Sequence, residues 1–260
     1  MNFRLGTISL FVAWSALAGC VTRPTPPSLA QIQAIRTRTE AQFARALFLK
    51  PAPSATATAQ ARQLAPLLII EAPGPNALPD WPGPNAHPQI FFRSGSATLN
   101  GRRHEQLTYW WTYPKGPGRA ASRAQGTRIT LNSAGQPVIW EVLADSSGAS
   151  LVFVAQSLEA QVVREVGPAL EQRRFAVERS LRDAPNVVVA RVIDDGPMPM
   201  GPIIYLRSDT HDVTTVSCRC MEAQAHALAG QLEYELVMPR DYRSHSLGTL
   251  QEMLRLPNSF

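Results

Sequence analysis

Proline is the residue that most limits what this chain can build, and it is unevenly placed. Of the 22 prolines in 260 residues, twelve fall between Pro24 and Pro88. Proline gives no N–H to a helix or ladder and holds φ at about −65°, so a stretch this rich in it reads as extended and a poor source of packed core. Residues 20–88 therefore read as a tether and residues 89–260 as the globular part. Within the tether, Ser28 and Gln31 stand at capping-box spacing. Ile32, Ile35, Phe43, Ala46 and Leu47 then recur with helical period as far as Pro51. This pattern predicts an amphipathic helix of about 20 residues whose apolar face needs a partner, either the domain behind it or another protein.

The first residues are of a different kind. One charge at Arg4 precedes a 13-residue apolar stretch, Leu5 to Leu17, followed by Ala18, Gly19 and Cys20. A charged start, a short apolar middle and small residues at a cleavage point describe a secretory signal, too short to remain as a spanning anchor. Leu17-Ala18-Gly19-Cys20 resembles the lipobox of bacterial lipoproteins. The resemblance implies a signal peptide over residues 1–19 and a diacylglycerol on the thiol of Cys20, which becomes the first mature residue. It also implies attachment to a membrane surface of the cell envelope. Val21 is not the aspartate that retains such proteins at the inner membrane in the enterobacterial pattern, which points to the outer membrane. Ala16 and Ala18 also fit ordinary secretory cleavage after Ala18.

Composition narrows the function classes. With 45% hydrophobic residues the chain can fill a core. No other window approaches the roughly 20 apolar residues of a spanning helix, so a polytopic membrane protein is excluded. The formal charge is +5 and 23 of the 25 basic residues are arginine, but no run of five or six bases occurs. Nucleic acid is therefore not an expected partner.

From Gln89 onward the texture is that of strands. Segments at Gln89–Arg93, Ala97–Leu99, Glu105–Tyr113, Thr127–Leu131, Val138–Leu143 and Leu151–Ala155 are separated by turn residues. Asn100-Gly101 supplies the positive φ values of a two-residue hairpin turn. A helix is expected over Ser157–Leu170, broken near Gly167-Pro168, with further strands at Val187–Ile193, Ile203–Leu206, Thr214–Cys220 and Leu232–Val237. Short helices are expected at Glu222–Ala229 and Thr249–Leu254. The fold class read from this order is α+β: a mainly antiparallel sheet with a few short helices, preceded by the proline-rich tether and its amphipathic helix. In the tether, Pro73-Gly74-Pro75-Asn76-Ala77 recurs as Pro82-Gly83-Pro84-Asn85-Ala86, two turns flanking Trp81.

No reaction motif stands out. His104-Glu105-Gln106-Leu107-Thr108 lacks the second histidine of a zinc-protease helix, and Gly116–Ala121 does not open a helix after a parallel strand. Cys218 and Cys220 are the constellation of interest. In a strand, positions two apart face the same side, so the two thiolates could share an ion with His211 seven residues earlier. Copper and zinc are the metals such ligands suit. The pair could also form a reducible disulfide, and the plainer reading, which the pattern favours, is of small apolar side chains alternating with Thr215, Ser217 and Arg219. Asp194-Asp195 before Gly196-Pro197 reads as a solvated turn or a cation site. The aromatic run Tyr109-Trp110-Trp111-Thr112-Tyr113 carries rings on both faces of its strand, one for the core and one for a contact. The functional expectation is a lipid-anchored envelope module, noncatalytic, that binds another envelope component and needs no cofactor. The alternative is a soft-metal or thiol-disulfide protein working through Cys218, Cys220 and His211.

Overall fold

The computed structural model describes residues 46–53, 57–71, 88–113, 123–144, 150–183, 187–195, 201–218, 232–239 and 250–260. The expected signal peptide, Cys20 and most of the expected amphipathic helix lie outside these residues. So do the two proline-glycine repeats, Gly116–Ala121, Cys220 and the helix expected at Glu222–Ala229.

The strands, in chain order, are β1 (Leu47–Pro51), β2 (Leu67–Ile70), β3 (Gln89–Leu99), β4 (Arg102–Tyr113), β5 (Arg123–Leu131), β6 (Pro137–Leu143), β7 (Ser150–Ala155), β8 (Val187–Ile193), β9 (Pro202–Leu206), β10 (Val213–Cys218) and β11 (Leu232–Val237). Among the described residues the helices are α1 (Ala59–Gln63), α2 (Gln156–Glu165) and, after the last strand, α3 (Leu250–Met253). All the strands form one sheet in the order β10-β9-β2-β1-β11-β3-β4-β5-β6-β7-β8. Its two ends, β10 and β8, come alongside each other with no ladder between them, so the sheet curls into a nearly closed barrel.

This corrects the α+β expectation. The protein is mostly sheet, and the sheet is mixed: β1–β11, β11–β3, β2–β9 and β7–β8 pair in parallel. Each of these pairs joins segments separated by a long connection, which local periodicity cannot see. The stretch read as tether contributes β1 and β2 to the sheet. Leu47, expected at the end of a helix, instead pairs with Ile70. No helix among the described residues is long and apolar enough to cross a membrane.

The meander β3 to β7 follows the sequence reading closely. Asn100 (φ 47°) and Gly101 (φ 77°) make the turn between β3 and β4, as their residue types require. The Asn100 side chain also donates to the carbonyls of Leu256 and Pro257, each at 3.0 Å. Gly126 lets β5 lie close to β4, since a Cβ there would stand 2.2 Å from the Tyr109 carbonyl oxygen. The helix after β7 ends early, at Glu165, with Gly167 at φ 110°. Ala155 offers it no side-chain cap. Asp195, arriving at the end of β8, accepts from the Ser157 N–H at 2.7 Å and the Ser157 hydroxyl at 2.6 Å. One of the two paired aspartates is therefore a helix cap borrowed from a distant strand.

Strand alternation sends Tyr109, Trp111 and Tyr113 of β4 to the interior. The outward set, His104, Gln106, Thr108 and Trp110, is also largely buried. Part of the cover outside is the C-terminal segment, where Phe260 stacks on His104 with ring centroids 4.3 Å apart. That segment is tied to α2 by Gln161, which donates to the Ser259 carbonyl at 2.8 Å. Also on the outward side, Arg128 of β5 stands opposite Glu141 of β6, and its guanidinium meets the carboxylate in two bonds, 2.6 and 2.5 Å. Burial pushes the Glu141 carboxyl above its ordinary range, and the hydrogen bonds and charge of Arg128 oppose that rise.

A raised carboxyl favours the folded state while it carries its proton, so that contribution is full below the ordinary glutamate range and fades as pH rises through the elevated value. Arg128→Met is expected to cost about 3–5 kcal/mol at neutral pH, by stranding a buried carboxylate, and less as pH falls toward 4. Arg128→Met with Glu141→Leu should recover most of the loss. Urea unfolding of the three proteins across pH checks this; a pH-independent cost would contradict it.

Candidate functional site

The barrel interior is closed differently at its two ends. Between β1 and β2 the chain crosses one end as α1 and the turn after it, with Ala61, Leu64 and Ala65 fully buried. Thr58 caps α1 by accepting from the Ala61 N–H at 3.1 Å. The Tyr109 hydroxyl donates to the Ala61 carbonyl at 2.7 Å and the Tyr234 hydroxyl to the Pro66 carbonyl at 2.5 Å. The Gly201 N–H donates to the Gln63 carbonyl at 2.9 Å. Because β2 runs parallel to β9, the turn from β9 to β10 lies at the other end. That turn presents His211, buried, at φ 59°, its ring stacked on Tyr113 with centroids 4.1 Å apart.

Tyr113 belongs to a chain of hydrogen bonds that fixes an amide. The Trp111 indole can only donate, and it donates to the Tyr113 hydroxyl at 2.7 Å. The hydroxyl's single hydrogen then goes to Gln125 Oε1 at 2.8 Å. Gln125 is therefore oriented by its neighbours, with its NH2 group as the remaining end. That nitrogen has no hydrogen-bond partner, and neither do Thr127 Oγ1 and Trp140 Nε1, although all three side chains are about 99% buried. Gln125 and Thr127 are two apart on β5. Trp140, on β6, faces Ile129 and is diagonal to Thr127. Inward positions over Leu107–Tyr113, Gln125–Leu131 and Val138–Val142 are otherwise aromatic or aliphatic, with no acidic or basic side chain.

A buried polar atom left unpaired costs about 1–3 kcal/mol, and native interiors rarely leave one so. Three on one wall amount to a surface built of donors: an amide NH2, an indole N–H and a hydroxyl. Such a surface can receive acceptor atoms of a guest.

The residues singled out from the sequence are placed as follows. His211 joins the interior cluster through Tyr113, which its sequence context did not indicate. Cys218 ends β10, where it pairs with Pro202, while His211 precedes the start of the same strand. A strand rises about 3.3 Å per residue, so the length of β10 lies between their backbones. Cys220 and Cys20 lie outside the described residues. No group of three His, Cys, Asp or Glu side chains able to hold a metal ion occurs among the described residues. His104 sits in β4, with its Nδ1 3.0 Å from the Leu131 carbonyl. A surface recess of about 480 Å³ beside the β3–β4 hairpin, lined by Ser94, Gly95, Ser96, Arg103 and Glu105, is open to solvent. Gln125 and Thr127 were missed in the sequence. The signal available was two polar residues in phase with Ile129 and Leu131. No family model, curated protein or solved structure matches the chain.

Tyr113→Phe removes both the acceptor of Trp111 and the donor to Gln125, and is expected to lower stability by about 2–4 kcal/mol. Thr127→Val removes a hydroxyl that bonds nothing and should leave stability equal or raise it by about 1 kcal/mol. Urea unfolding at unchanged m-value reads both. A Thr127→Val loss as large as that of Tyr113→Phe would contradict the unpaired state.

Proposed function

We propose that this chain is a lipid-anchored module of the bacterial cell envelope, held on the outer membrane through Cys20, whose work is binding and not catalysis. The observation that carries the anchor is the tetrad Leu17-Ala18-Gly19-Cys20 behind a short apolar segment. The cysteine falls where the lipid chemistry requires a thiol. Each buried methylene of an acyl chain contributes about 0.8 kcal/mol, so two or three chains hold a protein durably where one does not. The binding half is supported by the donor wall inside the barrel, whose polar atoms keep their hydrogen-bonding capacity in reserve. A second envelope component is the partner this reading expects.

Cells fed labelled palmitate are expected to incorporate it into the protein, and the protein is expected to fractionate with membranes. Cys20→Ser should abolish both. Unchanged labelling and fractionation in Cys20→Ser would remove the anchor.

A further inference from the structure

We infer that the barrel interior is a binding site for a small neutral molecule rich in hydrogen-bond acceptors, of the amide or ester carbonyl type, received by Gln125 Nε2, Thr127 Oγ1 and Trp140 Nε1. The inference rests on the binding half of the proposed function and is independent of the anchor.

Three observations lead to this chemistry. The first is the donor character of the wall. An indole N–H and an amide NH2 can only donate, and the Tyr113 bond has already committed the acceptor end of Gln125. A guest made of donors would leave these groups unpaired, and a guest made of acceptors pairs them.

The second is the neutrality of the described side chains nearest the three atoms. Arg128 and Glu141 satisfy each other on the outward side, and the described side chains next to Gln125, Thr127 and Trp140 on the inward side, Trp111, Tyr109, Ile129 and Val142, carry neither sign. A carboxylate or ammonium placed against Thr127 and Trp140 would lose its hydration with no counter-charge from those described neighbours, a penalty larger than neutral hydrogen bonds return.

The third is spacing. Residues two apart on a strand are about 6.6 Å apart and diagonal cross-strand neighbours about 7–8 Å. One molecule serving the row from Gln125 through Thr127 to Trp140 therefore carries more than one acceptor. Trp111, Tyr109 and Phe92, all fully buried, occupy the same interior and keep the guest small.

Two probes of nearly equal shape separate the possibilities: N-acetylglycinamide, neutral with two amide carbonyls, and N-acetylglycinate, which bears a carboxylate. The full chain, purified from whole cells in the presence of detergent, is titrated with each while the indole N–H resonance that disappears in Trp140→Phe is followed. The neutral probe is expected to shift that resonance saturably. Gln125→Leu and Thr127→Val should each weaken its affinity at least tenfold, and the anion should bind at least tenfold more weakly in the unaltered protein. Thr127→Val preserves shape and keeps the test readable if Gln125→Leu does not fold.

Equal or better binding of the anion would overturn the neutral class, as would a saturable shift indifferent to both variants. A native mass of the extracted chain that includes a noncovalent small molecule, together with silence toward both probes, would overturn the carbonyl class but leave the binding reading standing. Silence toward both probes, with no bound mass and only ordered water at the three atoms in a crystal structure, would overturn both. The Cys20→Ser result is unaffected by any of these outcomes.

Discussion

One six-residue strand holds the architecture together. Leu232–Val237 lies between β1 and β3 and pairs in parallel with both, so it is the join between the four strands on one side of the sheet and the six on the other. Its alternation suits the place. Tyr234 and Leu236 turn to the interior, while Glu233 stays out, 3.3 Å from Lys50 on the neighbouring strand. The ion pair is exposed on the glutamate side and contributes little by itself. The Tyr234 hydroxyl contributes more, because it reaches the Pro66 carbonyl and so ties the join to the segment that closes one end of the barrel.

Once the sheet is closed, strand alternation forces two different solutions for polar groups. On the outward face of β4 to β6, two polar pairs are matched: Arg128 with Glu141, and Gln106 donating to Thr130 Oγ1 at 2.9 Å. Inside, the matching is deliberate up to Gln125 and stops there. Trp111, Tyr113 and Gln125 form a directed chain in which each donor has one acceptor, and the chain delivers an amide nitrogen with nothing to donate to. A buried network finished on one side and open on the other is costly as a core and useful as a recognition surface.

The sequence made the meander legible because its information is local. Asn100-Gly101 specifies its turn by φ alone, and β6 and β7 are short apolar runs bounded by turn residues. The strands that changed the fold class were not legible for the opposite reason. Leu47–Pro51 sits among prolines with a helix-like approach, and its strand identity comes from partners at Leu68 to Ile70 and at Leu232 to Tyr234. Asp195 reads as a loop residue until α2, whose N-cap Ala155 has no side-chain acceptor, is set beside it. At the site, His211 was legible only as a residue type. The contact its ring makes, with Tyr113, bridges two distant hairpins, and local spacing does not reveal it.

The two ends of the interior are closed by different physics. At α1 the closure is hydrogen bonding to main chain: Tyr109 to Ala61, Tyr234 to Pro66 and Gly201 to Gln63, each worth about 0.5–1.5 kcal/mol net and each lost outright if the segment moves. At the other end His211 holds a positive φ, which costs a non-glycine residue about 1–3 kcal/mol. It is held there by its N–H donating to the Arg207 carbonyl at 3.0 Å and by its stack on Tyr113. Arg207 is itself clamped to Asp209 by two bonds of 2.8 and 2.7 Å, so the turn is stiff in its own right. The ring that leans on Tyr113 therefore leans on the first hydroxyl of the chain that orients Gln125. Through that contact the β9–β10 turn and the donor wall are mechanically one unit, although 86 residues of sequence separate His211 from Gln125.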